Sequence, residues 1–306
     1  MQAMNDHNHA IVTGGTGFVG ANLAGYLQRQ GYSVHVIVRP SSDVRYLNQV
    51  CASVTLQLHD GTTADMIRIL RDVQPRTVFH LASLFVSEHN PIDVEPLVTS
   101  NLLFGTQLLE AMKESGVSSL INTGTSWQHY HTTEYRPVCL YAATKKAFED
   151  IVTFYEDAYH LHSVTLKLFE TFGPNDPRKK IFRLLQNISH SNETLAMSLG
   201  EQMIDLVYID DVCEAFKLAD LRLKGGLVTA SESYGVCSAH RISLRELVEL
   251  YEHAIGRQLP IQWGARPYRK REVMKPWDGY KSLPGWRPKV SIAEGIQRIL
   301  ESEVRG

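Results

Sequence analysis

Ala10-Ile11-Val12-Thr13-Gly14-Gly15-Thr16-Gly17-Phe18-Val19-Gly20, continued by Ala21-Asn22-Leu23-Ala24-Gly25-Tyr26-Leu27, decides the fold of this 306-residue chain. Ala10-Ile11-Val12 reads as a buried strand, a glycine-rich turn follows at once, and Phe18, Leu23, Tyr26 and Leu27 recur at helical spacing. Strand, glycine turn and helix in that order form a seat for a dinucleotide pyrophosphate. The glycines let the backbone approach the phosphates, and the helix N-terminus offers unpaired N–H groups and a positive dipole end. Gly14, Thr16, Gly17, Phe18 and Val19 are therefore the first candidate cofactor residues.

The next strand, Tyr32 to Val38, ends at Arg39-Pro40-Ser41-Ser42, about 20 residues beyond the glycine turn, where such folds meet the adenosine ribose. An acid there would accept bonds from the ribose 2′-OH and repel a 2′-phosphate. The chain instead offers Arg39 with the Ser41 and Ser42 hydroxyls, which favours NADP(H) over NAD(H); the competing reading of Arg39 is a solvated charge at a strand end. A third strand, Val54 to Leu58, runs into His59-Asp60-Gly61, where Asp60 can reach adenine. Thr62 or Thr63 caps a helix through Asp65–Leu70, and Val78 to Ser83 is a fourth strand. His80 reads as a packed, hydrogen-bonded histidine. Leu97 to Lys113 forms one long helix, in which Asn101 is either a structural hydrogen-bonder or a site residue.

Composition narrows the class. The chain is 43% hydrophobic and 21% charged with a net charge of −2, which suits a globular protein with a sizeable core and gives no basic field for nucleic acid. Cys51, Cys139, Cys213 and Cys237 have no paired spacing, so they read as reduced cysteines of a cytoplasmic protein and not as a metal or disulfide framework. Met1–His9 carries no apolar signal region, no apolar run is long enough to span a bilayer, and His7 and His9 read as part of a frayed polar terminus. No metal site is expected.

The chemistry is carried further along. Ser118 to Thr123 is a fifth strand ending at Gly124-Thr125-Ser126, and Leu140 opens a helix bearing Tyr141-Ala142-Ala143-Thr144-Lys145. Tyrosine and lysine four apart share a helix face. A phenol of pKa near ~10 is a poor acid–base group at neutral pH, and a neighbouring ammonium should lower that value. A hydroxyl from Thr125 or Ser126 can hold the reacting oxygen.

These motifs together (Thr13–Gly20, His80-Leu81-Ala82-Ser83, Asn101, Gly124-Thr125-Ser126 and Tyr141–Lys145) resemble the extended short-chain dehydrogenase/reductase superfamily, in its sugar-nucleotide epimerase/dehydratase branch. The resemblance implies a Rossmann-like doubly wound parallel α/β sheet of six or seven strands with a smaller C-terminal lobe. Residues 1–173 would bind the cofactor and 174–306 mainly the sugar, with about 205–235 returning to the first unit. It places Thr125, Tyr141 and Lys145 in catalysis, and adds Gly61, Leu81, Ala82, Ser83, Asn101, Thr123, Leu168 and Thr171 to the cofactor residues. A nucleotide-diphosphate sugar would meet Ser126, Glu170, Arg178, Lys179 and either Arg269 or Arg271. Ser83 stands where the family usually has alanine, Glu170 where epimerases often have asparagine, and the segment between Thr125 and Tyr141 is short. Within the branch, Leu166–Gly173 and Gly124–Lys145 look most like the CDP-paratose/CDP-abequose synthase group. That implies NADPH-dependent reduction of a 4-keto-6-deoxy nucleotide sugar by a homodimer, in deoxysugar biosynthesis for a surface polysaccharide. Set beside this are an NAD-retaining 4-epimerase or 4,6-dehydratase and a non-catalytic NADP sensor. Asp210 is expected to cap a helix, and Ser243 with Glu246 to form a capping box.

Overall fold

The computed structural model describes residues 8–304 apart from Ala52, Asn192 and Ala230. His7 lies outside the described residues. His9 is not part of a frayed end, because it opens the first strand in register with Ser33, its Nδ1 3.0 Å from His35 Nε2.

The strands are β1 (His9–Thr13), β2 (Ser33–Val38), β3 (Thr55–Leu58), β4 (Thr77–His80), β5 (Ser119–Thr125), β6 (His162–Leu168), β7 (Glu170–Phe172), β8 (Leu195–Ala196), β9 (Met203–Tyr208), β10 (Ser231–Val236), β11 (Arg241–Ser243) and β12 (Ile261–Gln262). Helices are α1 (Phe18–Arg29), α2 (Arg45–Val50), α3 (Thr63–Val73), α4 (Val94–Val98), α5 (Phe104–Ser115), α6 (Leu140–Tyr159), α7 (Ile181–Ser189), α8 (Ile209–Lys224), α9 (Leu244–Ile255) and α10 (Ile292–Val304).

Seven strands form one sheet in the order β10-β6-β5-β4-β1-β2-β3, and every neighbouring pair is parallel. The protein therefore has the Rossmann-like doubly wound fold expected from its sequence. Parallel strands need helical crossovers, which cover both faces of the sheet. β1 shows the result: Ala10 and Val12 enter the core under α1 and α8, whereas Ile11 enters the core under α3 and α5. Phe79 and Ile121 join the first core, Val78 and Leu120 the second. Strand order reverses between β1 and β4, and a crevice opens there at the carboxyl ends of the strands. The smaller lobe carries β9 between parallel β7 and antiparallel β11, the pair β8–β12, and α7, α9 and α10.

Several boundaries differ from expectation. β4 stops at His80: Leu81 N is shared between Thr13 O at 3.3 Å and Thr13 Oγ1 at 3.1 Å, and Ala82 N turns onto the same Oγ1 at 3.1 Å. β5 runs on through Thr125, paired with Leu168. The helix expected from Leu97 to Lys113 runs from Val94 to Ser115 and is interrupted by a π-helical turn at Thr99–Leu103. Thr62 is the cap of α3, accepting from Asp65 N. Asp210 is not a cap: Tyr208 holds that position on α8 without a side-chain bond. Its neighbour Asp211 instead accepts the N–H groups of Lys289 and Val290 at 3.0 Å each, tying the C-terminal segment to α8. The Ser243–Glu246 capping box is present on α9.

Candidate active site

The glycine turn is built for close approach. Gly14 sits at φ 70°, and a Cβ there would lie 2.6 Å from Ala82 N; one on Gly20 would lie 2.2 Å from Gly14 O. A side chain at Gly14 would force the β1 and β4 turns apart, and one at Gly20 would push α1 off the glycine turn. Gly17 is exposed at the N-cap of α1, where no side chain caps the helix and no acid occupies the first turn. The early N–H groups of α1 thus remain for an anion. Thr13 fixes the crevice floor. Its Oγ1 accepts from Leu81 N and Ala82 N and lies 2.9 Å from His80 Nδ1, so its single proton goes to a neutral imidazole. Burial pushes the His80 pKa down to about 3, helped by Lys145, and the ring packs on Phe148.

At the end of β2, Ser42 Oγ accepts Arg39 N at 3.0 Å and Ser42 N donates to Arg39 O at 2.9 Å, closing a turn that leaves the guanidinium exposed. No described ion pair uses Arg39; the adjacent Asp43 is taken by Arg45. Asp60 Oδ1 holds Thr62 N and Oγ1, and Gly61 O accepts from Gln107. Thr123 Oγ1, on β5 near the carboxyl edge of the sheet, is buried with no partner. The Cβ-free cradle, the bare helix end and this orphaned hydroxyl fit a dinucleotide.

Asn101 resolves as a structural tie. Its Oδ1 accepts from Leu84 N at 2.7 Å and Ser83 Oγ at 3.1 Å, while its Nδ2 donates to Leu84 O and Thr144 Oγ1. Thr144 in turn donates to Tyr141 O at 2.7 Å. One buried amide therefore locks the loop after β4 to the first turn of α6.

Thr125 ends β5, and Tyr141 and Lys145 lie four residues apart on one face of α6. Thr125 Oγ1 accepts Trp127 N at 3.2 Å, which leaves its proton to point elsewhere. The Thr125 and Ser83 hydroxyls lie beside the Tyr141 side chain, and Ser83 gives its own proton to Asn101 Oδ1. Tyr141 carries a correction. Lys145 was expected to draw its pKa down, but burial, seconded by Cys139 and Glu170, pushes it up despite those two hydroxyls. Lys145 is buried and its own pKa falls to about 8, with Glu149 opposing the shift.

Beside Tyr141 lies a cleft lined by Phe85, Ser126, Trp127, Phe169, Glu170, Lys180, Arg269, Glu272 and Trp277, among others. Phe85 stands edge-on to Tyr141 at 5.0 Å and packs on Trp127 at 5.5 Å. Glu170 pairs with Lys180, and Arg269 forks onto Glu272 with Nε at 2.9 Å. Of the sequence candidates, Ser126, Glu170 and Arg269 reach this cleft. Arg271 does not: it donates to the carbonyls of Val138 and Pro137 and stacks on Tyr130. Arg178 is held by Asp176 and Thr171 over the Phe18 ring, beside the dinucleotide crevice, and Lys179 is exposed. Leu168 packs against the core beneath, and Thr171 is buried under Arg178. Phe85, Trp127, Glu272 and Trp277 come from three separate loop segments with no shared local pattern, so sequence reading passes over them.

A doubly wound sheet with a dinucleotide cradle at its switch point and a Thr/Tyr/Lys set beside a largely apolar cleft rimmed by charged side chains defines a nicotinamide-dependent enzyme. A family model described as the NAD dependent epimerase/dehydratase family matches residues 10–226, and the chain belongs to that family. It is 26% identical to CDP-abequose synthase of Salmonella muenchen over 95% of this chain and 96% of that one. It is 27% identical to UDP-glucose 4-epimerase of Mycolicibacterium smegmatis, covering 95% and 97%. Among solved structures, the UDP-glucose 4-epimerase of Thermus thermophilus in complex with NAD superposes with a TM-score of 0.79 at 27% identity, covering 97% and 99%. The chain is thus a nucleotide-sugar-modifying enzyme that uses a nicotinamide cofactor. Among the described residues no helix is long and apolar enough to cross a membrane.

Proposed function

We propose that the protein reduces the 4-keto group of a nucleotide-linked 4-keto-6-deoxy sugar with NADPH, a CDP-linked sugar being the first to test. The observation that carries this reading is the end of β2, where Ser42 and an exposed Arg39 outside every described ion pair stand in place of a carboxylate. A guanidinium recognises a 2′-phosphate, and NADPH is the cofactor a reductase consumes.

In this reading Gly14, Thr16, Gly17, Phe18 and Val19 seat the pyrophosphate, Arg39 and Ser42 the 2′-phosphate, and Asp60 and Gly61 the adenine side. Leu81, Ala82, Ser83, Asn101, Thr123, Leu168 and Thr171 shape the nicotinamide half. A nicotinamide held there would supply the hydride that the carbonyl carbon takes up. Tyr141, held as the neutral phenol by its burial, gives its proton to the carbonyl oxygen, and Thr125 donates a hydrogen bond to that oxygen as charge develops. Lys145 supplies positive charge beneath them. Ser126 and Arg269 would hold the nucleotide sugar, in a division of labour between residues 1–173 and 174–306 with about 205–235 rejoining the first unit. The apolar wall of Phe85 and Trp127 suits a 6-deoxy carbon. Exposed Val94, Val98, Leu103, Phe154 and Tyr159 on the neighbouring α4–α6 helices suit a homodimer. The four free cysteines and NADPH use suit the cytoplasm.

The test is to release any dinucleotide from denatured protein and to titrate the native protein with NADPH and NADH. Weak, reversible binding with a clear NADPH preference is expected. Tightly held stoichiometric NAD would overturn the reductase reading in favour of a cofactor-recycling epimerase.

A further inference from the structure

Glu170 is an acid in a cleft that must receive a diphosphate. It opens β7 at the carboxyl edge of the sheet, lines the cleft with Phe85, Ser126, Trp127 and Arg269, and is a third exposed. Its Oε2 accepts from Lys180 Nζ, and among the described residues its Oε1 accepts no hydrogen bond. Lys180 has its other contact with the Phe85 ring, 5.6 Å from its centroid, and Phe85 touches Tyr141. Burial alone would raise the Glu170 pKa, but Lys180, with Arg178 and Arg269, holds it below its ordinary value, so the group is an anion at neutral pH. An ionised carboxylate only accepts hydrogen bonds, and a partly buried one with an oxygen not yet engaged by a donor can take one from a ligand. Phosphate oxygens are acceptors and supply none. Sugar hydroxyls do.

We propose that Glu170, neutralised by Lys180, is a specificity-determining residue that accepts a hydrogen bond from one ring hydroxyl of the sugar, so that the enzyme requires a substrate bearing that hydroxyl. This rests on the nucleotide-sugar reading above and adds which chemical feature of the sugar is read. Arg269 holds the diphosphate end and Glu170 the sugar end of the same cleft. A neutral asparagine or glutamine at this place could turn its NH2 or its oxygen toward the ligand, whereas a carboxylate cannot accommodate a bare carbon or an acceptor there. A hydrogen bond to a charged group that is lost without replacement costs roughly ten-fold or more in binding.

The test is a double-mutant cycle on the holoenzyme with NADPH bound. Calorimetry would compare CDP, CDP-glucose and its 2-deoxy and 3-deoxy analogues, with the UDP series in parallel, on the wild-type protein, Glu170→Gln and the paired Glu170→Ala/Lys180→Ala variant. The expected result is that one deoxy analogue binds the wild type at least ten-fold more weakly than the parent sugar, and that both variants shrink this difference to about three-fold or less while binding CDP as the wild type does. Equal deoxygenation penalties on all three proteins, or a matching loss of CDP affinity in the variants, would overturn the role of Glu170 and leave the nucleotide-sugar reading standing. If CDP or UDP sugars bind none of the three while NADPH still binds, the nucleotide-sugar reading falls and the proposal falls with it.

Discussion

At the residue scale the site combines groups that burial keeps in their uncharged forms. Tyr141 is held as a phenol, so Tyr141→Phe removes the transferable proton with little change in shape. Turnover should fall roughly 10²- to 10⁴-fold, with the NADPH dissociation constant within about three-fold of wild type, as read by steady-state rates and fluorescence titration. His80 makes a second prediction, on stability. Its folded pKa of about 3 lies below the ~6.5 of an unfolded chain. Between those values the unfolded chain takes up a proton that the folded one does not. The stability from neutral His80 is therefore complete above pH ~6.5 and is lost as pH falls toward 3. Melting temperatures at pH 7 and pH 4.5 should differ more for the wild type than for His80→Asn, and an equal drop in both would remove His80 from the acid response.

At the element scale, catalytic geometry depends on how α6 is moored to the sheet. Asn101 does this from inside a π-turn. The extra residue in that turn interrupts the α-helical register where a buried amide must meet both Leu84 and Thr144. Asn101→Ala leaves Leu84 N, Leu84 O and the Ser83 hydroxyl without their side-chain partner. It should destabilise the protein by on the order of 2 kcal/mol and lower kcat more than it weakens NADPH binding, because Ser83 and Tyr141 lose their mutual alignment. Urea denaturation and initial rates measure the two effects. This scale also marks what the sequence makes legible. The glycine turn, the Tyr141–Lys145 spacing and the capping box at Ser243 are local patterns, each written within a few residues; the turn and the box take the expected form, and Tyr141 and Lys145 share α6 without the expected lowering of the Tyr141 pKa. The π-turn leaves no such trace, since its apolar residues keep near-helical spacing. The choice of Asp211 over Asp210 depends on backbone N–H groups nearly 80 positions away. Phe85, Trp127 and Trp277 meet only after folding, and Arg271 and Arg269 are told apart by which carbonyls and carboxylates surround them.

At the scale of the whole molecule, one sheet carries the cofactor crevice and a second lobe closes over it from a single side. The apolar residues left open on α4–α6 sit on the sheet face away from α1 and α8. Phe154, 56% exposed on α6, is the largest of them. If two copies pair there, Phe154→Glu buries a charge at the contact and should shift the protein from dimer to monomer in light scattering behind size exclusion, with NADPH binding retained. An unchanged mass would place any association elsewhere.

The seventh strand has a consequence for the order in which the molecule is made. β10 pairs with β6 along its full length, from Ser231 opposite Ser163 to Val236 opposite Leu168, yet the two are separated in the chain by β7, α7, β8, β9 and α8. As the polypeptide leaves the ribosome, β1 to β6 are all available while β6 still presents a bare edge, and bare edges recruit other chains. The interval between synthesis of β6 and of β10 is thus the window in which a nascent copy is most exposed to mispairing with its neighbours. Rare codons or a stall within residues 169–230 would lengthen that window without altering a single contact of the finished enzyme.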